Sequence, residues 1–159
     1  MVRAEFDRRL RSPASVSGVD RVATSVLSIS SEGEGFVDIT TDVRSFVREI
    51  SAHSGVLTLF VRHTSASLTI QENADPDVLK DLTTALRRLA PADGAWRHTT
   101  EGPDDMPAHI KTMLTATSLQ IPVLKSEVML GTWQAVYLVE HRARPHRREV
   151  VLQFVGAAG

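Results

Sequence analysis

The 159-residue chain contains no cysteine, which excludes disulfide bonds and thiolate metal sites. It also lacks an excess of either charge: 18 basic and 19 acidic residues leave a net charge of −1, so no global field draws the protein to nucleic acid or anionic lipid. No apolar run approaches the roughly 20 residues of a membrane span. We therefore expect neither a nucleic-acid nor a membrane partner, and any metal site must use histidine, carboxylate or backbone oxygen ligands.

The N-terminal segment MVRAEFDRRLRSPASVSG has scattered charge and lacks the apolar centre of a signal peptide. We predict a flexible leader over residues 1–20, a single domain over residues 21–156 and a cytoplasmic location. A hydrophobic content of 42% and a charged content of 23% are typical of one globular domain with a buried core.

Hydrophobic periodicity predicts both strands and helices. Strands are expected at residues 21–29, 35–39, 128–142 and 149–156, and the run 55–71 reads as one long strand or two consecutive ones. Helices are expected over residues 42–51, after Asp75-Pro76, and from Asp104 or Asp105 onward, where an acidic cap and an early proline mark the start. The elements do not follow strict βαβ alternation, which indicates the α+β class.

Three histidines occupy positions where a site could form. His63 and His141 each follow an apolar strand, and His109 lies four residues after Asp105, on the same face of the predicted helix. A carboxylate beside an imidazole can fix its tautomer or share a metal with it, and three histidines with one carboxylate would hold a cation with positions left open. The alternative for each histidine is an ordinary surface or core-edge residue, which is the interpretation given to His53, His98 and His146.

Hydroxyl and acidic groups form two further constellations. The segment HTSAS (63–67) places hydroxyls after a strand, where they could bind an oxyanion or simply form a turn. The segment QENADPD (71–77) could hold a hydrated divalent cation or could cap the following helix. Arg142 could clamp a phosphate or form a strand-end ion pair, and strand alternation sends Glu140 and Arg142 away from His141. A G-x-S-x-G elbow, a P-loop and a dinucleotide fingerprint are absent from the sequence.

Three segments, HTSASLTIQENADPDVLKDL, EGPDDMPAHIK and LGTWQAVYLVEHR, are together similar to the YjbQ-like family over residues 21–156. The resemblance implies an α+β fold with a mixed or antiparallel β-sheet core, bifurcated or sandwich-like, and three helices. It also implies a homotrimer with a site near the subunit contacts. The sequence departs from the family in its turns, because Leu124–Glu127 replaces a turn that often contains Asn-Gly and Ala135 replaces a glycine.

The resemblance further implies thiamine-phosphate synthase activity, which joins a hydroxymethylpyrimidine pyrophosphate to a thiazole phosphate and releases pyrophosphate. The alternatives are a metal-binding protein or a metal-assisted hydrolase, for which synthase activity is incidental. Small phosphorylated substrates and a divalent metal are expected, with Mg²⁺ serving the synthase reaction or Zn²⁺ at the histidines.

Matching of the motifs assigns residues to three roles. The catalytic and metal-binding residues are expected to be His63, His109, His141 and Asp105. The alternative metal ligands are Glu72, Asp75 and Asp104. The residues expected to bind substrate or phosphate are Thr64, Ser65, Ser67, Asn73, Lys111 and Arg142.

Overall fold

The computed structural model describes residues 10–159, which form eight strands and three helices. In chain order these are β1 (Arg21–Ser31), β2 (Gly35–Asp38), α1 (Thr40–Glu49), β3 (Ala52–Val61), β4 (Ala66–Glu72), α2 (Pro76–Leu89), α3 (Asp105–Leu114), β5 (Ser118–Leu124), β6 (Glu127–Val128), β7 (Gln134–Glu140) and β8 (His146–Ala158). Residues 10–20 of the predicted leader contain no helix or strand, and residues 1–9 lie outside the described residues. The division into a leader and one domain stays a prediction.

The strands form two antiparallel sheets. The larger sheet has the order β1-β8-β3-β5-β6, and the smaller has the order β2-β7-β4. All strand pairs in both are antiparallel. The run 55–71 is therefore two strands in different sheets, and the expected α+β fold with three helices is confirmed.

Strand alternation builds the core between the sheets and α1. One face of β3 and the same face of β8 carry buried apolar side chains, while α1 adds an apolar stripe at helical spacing. Each fully buried side chain of this size contributes about 1.5–3 kcal/mol relative to an exposed one. The main contributors are Val43, Phe46, Val47, Leu57, Leu59, Val61, Val150, Leu152 and Phe154.

Helix α2 begins as its sequence predicts. The Asp75 side chain accepts a hydrogen bond from the Asp77 N–H at 2.9 Å, and Pro76 occupies the first turn, where its missing N–H costs nothing. No residue of α2 is fully buried, and Leu89 of its leucine stripe is 64% exposed. Within residues 10–159, no helix has the length and hydropathy needed to cross a membrane.

Two late segments differ from their expected structure. Residues 118–124 form β5, which pairs with both β3 and β6, whereas no strand is predicted there from the sequence. The turn between β5 and β6 places Lys125 and Ser126 at positive φ, 51° and 66°, so two ordinary residues adopt the backbone that Asn-Gly usually supplies. The predicted strand 128–142 is shorter in the structure, because β7 begins only at Gln134.

Candidate functional site

The N-terminal turn of α3 carries the candidate site. Asp105 and His109 share one helix face, with Asp105 Oδ2 lying 3.4 Å from His109 Nε2. His98, in the preceding loop, places its Nε2 2.7 Å from the same Oδ2. Among residues 10–159, these three form the single group of at least three histidine or carboxylate side chains whose ligand atoms lie within 4.8 Å of one another.

The tautomer of His109 is set by the loop after β3. Its Nδ1 lies 2.9 Å from the Thr64 carbonyl oxygen, which can only accept, so Nδ1 carries a hydrogen. A neutral His109 therefore directs the lone pair of Nε2 towards Asp105 Oδ2, which is also an acceptor. Two acceptors that face each other need a cation between them, either a proton on Nε2 or a metal ion.

Arg142 fixes the acidic start of the helix. Its Nη1 donates to Asp105 Oδ1 at 2.7 Å, its Nε to Asp104 Oδ2 at 3.1 Å, and its Nη2 to the Glu101 carbonyl at 2.7 Å. Burial opposes ionisation of Asp104, but hydrogen bonds from the Ala143 N–H and from Arg142 lower the pKa of this carboxyl below its ordinary value. The guanidinium thus orients carboxylates, and its donors are engaged by Asp104, Asp105 and Glu101, whereas its predicted role is to clamp a phosphate.

His141 lies outside this group. It is 2% exposed, and its Nε2 lies 2.8 Å from the Oγ of the fully buried Ser67. Burial, with a smaller effect from the nearby Lys111 charge, lowers the pKa of His141 to about 4, so the ring is neutral near pH 7. Lys111 is also buried, and its Nζ donates to Glu34 Oε1 at 2.5 Å, so the structure pairs its charge with a carboxylate and its phosphate-binding role stays a prediction.

His63 also points elsewhere. Its Nε2 accepts a hydrogen bond from the Glu149 N–H at 2.9 Å, which occupies the lone pair a metal would need. Burial and the Arg148 charge both lower the pKa of His63. His63, His109 and His141 therefore do not converge on one point, which corrects the prediction. Of the three, only His109 lies beside Asp105, and the second histidine at that carboxylate is His98.

The alternative acidic ligands have other partners. Asp75 caps α2 and Asp104 holds Arg142, so both carboxylates already accept hydrogen bonds. Glu72 is half-buried at the end of β4, and Asn73 is exposed. Within the described part of the chain, these residues form no group of metal-ligand atoms.

Glu140 and Arg148 form a buried ion pair that links the two sheets. Arg148 Nε donates to Glu140 Oε2 at 2.7 Å and its Nη2 donates to Oε1 at 2.6 Å. Glu140 also accepts from Ser31 Oγ and from the Arg142 N–H, and Arg148 Nη2 reaches Ser65. Burial alone would raise the pKa of Glu140. The hydrogen bonds from Arg148 and the other donors together have the larger effect, so the pKa lies below its ordinary value. Arg148 is not among the predicted site residues, although strand alternation places it on the buried face with Val150.

The fold and this geometry define a two-sheet α+β domain with a histidine–carboxylate group at the start of a helix. The family model described as "UPF0047 protein YjbQ-like" matches residues 25–157, and the chain belongs to that family. It is 50% identical to the UPF0047 protein sll1880 of Synechocystis over 132 residues, covering 82% of this chain and 90% of that protein. It is 38% identical to the UPF0047 protein YjbQ of Escherichia coli O157:H7 over 131 residues, covering 82% and 95%.

Solved structures agree with this assignment. A crystal structure of an uncharacterized YjbQ/UPF0047 family protein from Clostridium acetobutylicum superposes with a TM-score of 0.74 at 36% identity, covering 83% of this chain and 98% of that chain. A conserved hypothetical protein from Thermus thermophilus gives a TM-score of 0.71 at 40% identity, covering 80% and 97%. The relatives' names state a family and no reaction.

Proposed function

We propose that His98, Asp105 and His109 bind a divalent metal ion and that the protein is a metal-dependent enzyme acting on a phosphorylated small molecule. The observation that carries the proposal is the approach of His109 Nε2 to Asp105 Oδ2, two acceptors at 3.4 Å once Thr64 has fixed the tautomer. Two imidazole nitrogens and one carboxylate oxygen match Zn²⁺ or a similar transition metal better than Mg²⁺, which prefers oxygen ligands.

The surrounding residues position these ligands. The Thr64 carbonyl holds the His109 ring through Nδ1, and Arg142 holds Asp105 through Oδ1, so Nε2 and Oδ2 stay directed at the same point. A bound ion would supply positive charge for departing phosphate oxygens and would lower the pKa of a water molecule. The His98 side chain is 47% exposed, which leaves the site open to a substrate from the loop side.

The candidate reaction is formation of thiamine phosphate. In this reaction the thiazole nitrogen forms a bond to the pyrimidine methylene carbon, the bond from that carbon to the pyrophosphate oxygen breaks, and pyrophosphate leaves with the electron pair. The support for it is the family resemblance together with a site able to neutralise a leaving anion. Hydrolysis of a phosphorylated compound is the second candidate, because two histidines with one carboxylate are also the ligand set of water-activating zinc sites.

Metal binding and activity test the proposal together. We expect the metal-free protein to bind one equivalent of Zn²⁺, and His98→Ala and His109→Ala to weaken the affinity at least tenfold, since each removes a ligand. Calorimetric titration measures this, with His53→Ala, an exposed histidine on β3, as the matched control.

Assays for thiamine phosphate and for released phosphate, with and without chelator, then identify the reaction. Metal binding without either activity would favour the metal-binding protein. An unchanged affinity in both histidine variants would contradict the proposed site.

We also propose that the chain forms a homotrimer, as its family resemblance implies. The outer face of the larger sheet exposes apolar side chains in adjacent positions, with Val22, Val155 and Val56 in one cross-strand row and Val26 and Phe60 flanking Val151 in another. Such a contiguous exposed patch is typical of a subunit contact. Light scattering is expected to give three times the mass of one chain, and Val26→Asp to dissociate it. A monomer at micromolar concentration would contradict the trimer.

A further inference from the structure

A cavity lies beside the loop after β3, next to the proposed metal site. It has a volume of about 630 Å³, and its polar lining includes Arg62, His63, Thr64, Ser65 and Arg148. The remaining lining residues are two apolar side chains and one more threonine, so the lining contains no carboxylate. A pocket with arginine, imidazole and hydroxyl donors but no anionic group is complementary to an oxyanion.

We infer that this cavity binds a phosphate group of the substrate through His63, Arg148 and Arg62. His63 supplies a donor because its Nε2 accepts the Glu149 N–H, which leaves the hydrogen of the neutral ring on Nδ1. No hydrogen-bond partner for Nδ1 occurs among residues 10–159. The hydrogen bond from the Glu149 N–H therefore has two effects. It occupies the Nε2 lone pair that a metal would need, and it leaves the Nδ1–H to donate to a bound anion.

Arg148 offers a second free donor. Its side chain is only 5% exposed, and its Nε and Nη2 are bound to Glu140 and Ser65, whereas its Nη1 has no hydrogen-bond partner in the described part of the chain. No fully buried polar side-chain atom there lacks a partner, so solvent reaches Nη1. Because Arg148 lines the cavity, we place this nitrogen at its wall. Glu140 holds the guanidinium in place before any ligand arrives, which reduces the entropy lost on binding.

Arg62 can supply charge to the same ligand. Its pair with Glu149, at 3.3 Å, joins side chains that are 56% and 44% exposed, so it is weak and can rearrange. The exposed Thr64 hydroxyl and Ser65 add further hydrogen-bonding groups. A phosphate group, whose oxygens accept several hydrogen bonds, matches these donors better than a carboxylate with two oxygens.

Thr64 connects this cavity to the proposed metal site. Its carbonyl fixes His109, while the residue itself lines the cavity, so one loop borders both. Only the identification of the anion as part of the substrate rests on the proposed function; binding of the anion itself does not.

Titration with inorganic phosphate tests the inference in the full-length protein, with chelator present. We expect the backbone amides of residues 62–65 and the His63 ring nitrogens to shift in NMR spectra, and His63→Gln to weaken phosphate binding about tenfold. Arg62→Gln is expected to weaken it several-fold, and this exposed variant carries the test if His63→Gln fails to fold. His53→Gln and Arg97→Gln, at exposed positions outside the cavity lining, serve as matched controls and should bind like the wild type.

Three results would overturn the inference. They are no NMR shift at residues 62–65 up to tens of millimolar phosphate, phosphate binding weakened equally in the control variants, and phosphate binding that occurs only when zinc replaces the chelator. Acetate that bound as tightly as phosphate would overturn the phosphate class. Failure of zinc binding alone would remove the proposed metal site and leave this assignment standing.

Discussion

Replacing Glu140 by glutamine is expected to lower the free energy of unfolding by about 3–5 kcal/mol. The carboxylate is completely buried, and it is the counter-ion of Arg148, whose side chain is 5% exposed. Glutamine would leave the guanidinium charge uncompensated and would turn an amide N–H₂ towards one of its donors. The pair also joins β7 of the smaller sheet to β8 of the larger, so its loss affects the contact between the sheets.

Urea unfolding at fixed protein concentration measures this effect, and the same chemical change at Glu149 is the matched control. Glu149 pairs with Arg62 at the surface, so Glu149→Gln should cost only about 0–1 kcal/mol. A double replacement of Glu140 and Arg148 by methionine should recover most of the lost stability, because neither charge of this buried pair remains. If Glu140→Gln were as stable as Glu149→Gln, the buried pair would not be a determinant of stability.

An element of the fold is predictable from the sequence where one local rule, such as capping or alternation, determines its type. The cap at Asp75 with Pro76, and the alternation of Leu57, Leu59 and Val61, each identify their element. Strand β5 lacks such a signal because Pro122 lies in its middle and cannot donate a backbone hydrogen bond. Its neighbour β3 is brought to it by the tertiary fold, which sequence periodicity does not report. Its other neighbour, β6, follows after the two-residue turn Lys125-Ser126, which lacks the Asn-Gly signal of a hairpin.

The candidate site, like the fold, is predictable from the sequence only where its contacts are local. Helical spacing places Asp105 beside His109, since that relation is local. His98 reaches Asp105 through an irregular loop with no periodicity, and nothing in the spacing marks it. Arg148 reads as part of a basic loop, although alternation along β8 puts it on the face of Val150 and Leu152. The Nε2 of His63 is hydrogen-bonded to the Glu149 N–H, and the Nε2 of His141 to the Ser67 hydroxyl. These contacts join residues that are distant in the chain, so the sequence does not reveal them.

Acidification is expected to destabilise the protein through His141. Its pKa is lowered from 6.5 to about 4 by burial, so between these values the unfolded chain binds a proton that the folded protein does not. The stabilisation from the neutral ring is complete above pH 6.5 and is lost as the pH falls towards 4. For this single group the loss at pH 5 is about 2 kcal/mol relative to pH 7. Urea unfolding at pH 7, 6 and 5 measures it.

The matched variants are His141→Gln and His53→Gln. His63, whose pKa is also lowered, contributes to the slope in the same pH range, so the His141 effect is the difference between the wild-type and His141→Gln slopes. The buried Glu140 does not contribute to this difference, because its lowered pKa confines its own effect on stability to below about pH 4.5. His53→Gln replaces a histidine at an exposed position on β3 and leaves the buried His141 ring in place, so it should keep the wild-type slope. Equal slopes for wild type and His141→Gln would show that the buried imidazole takes up its proton without unfolding the protein.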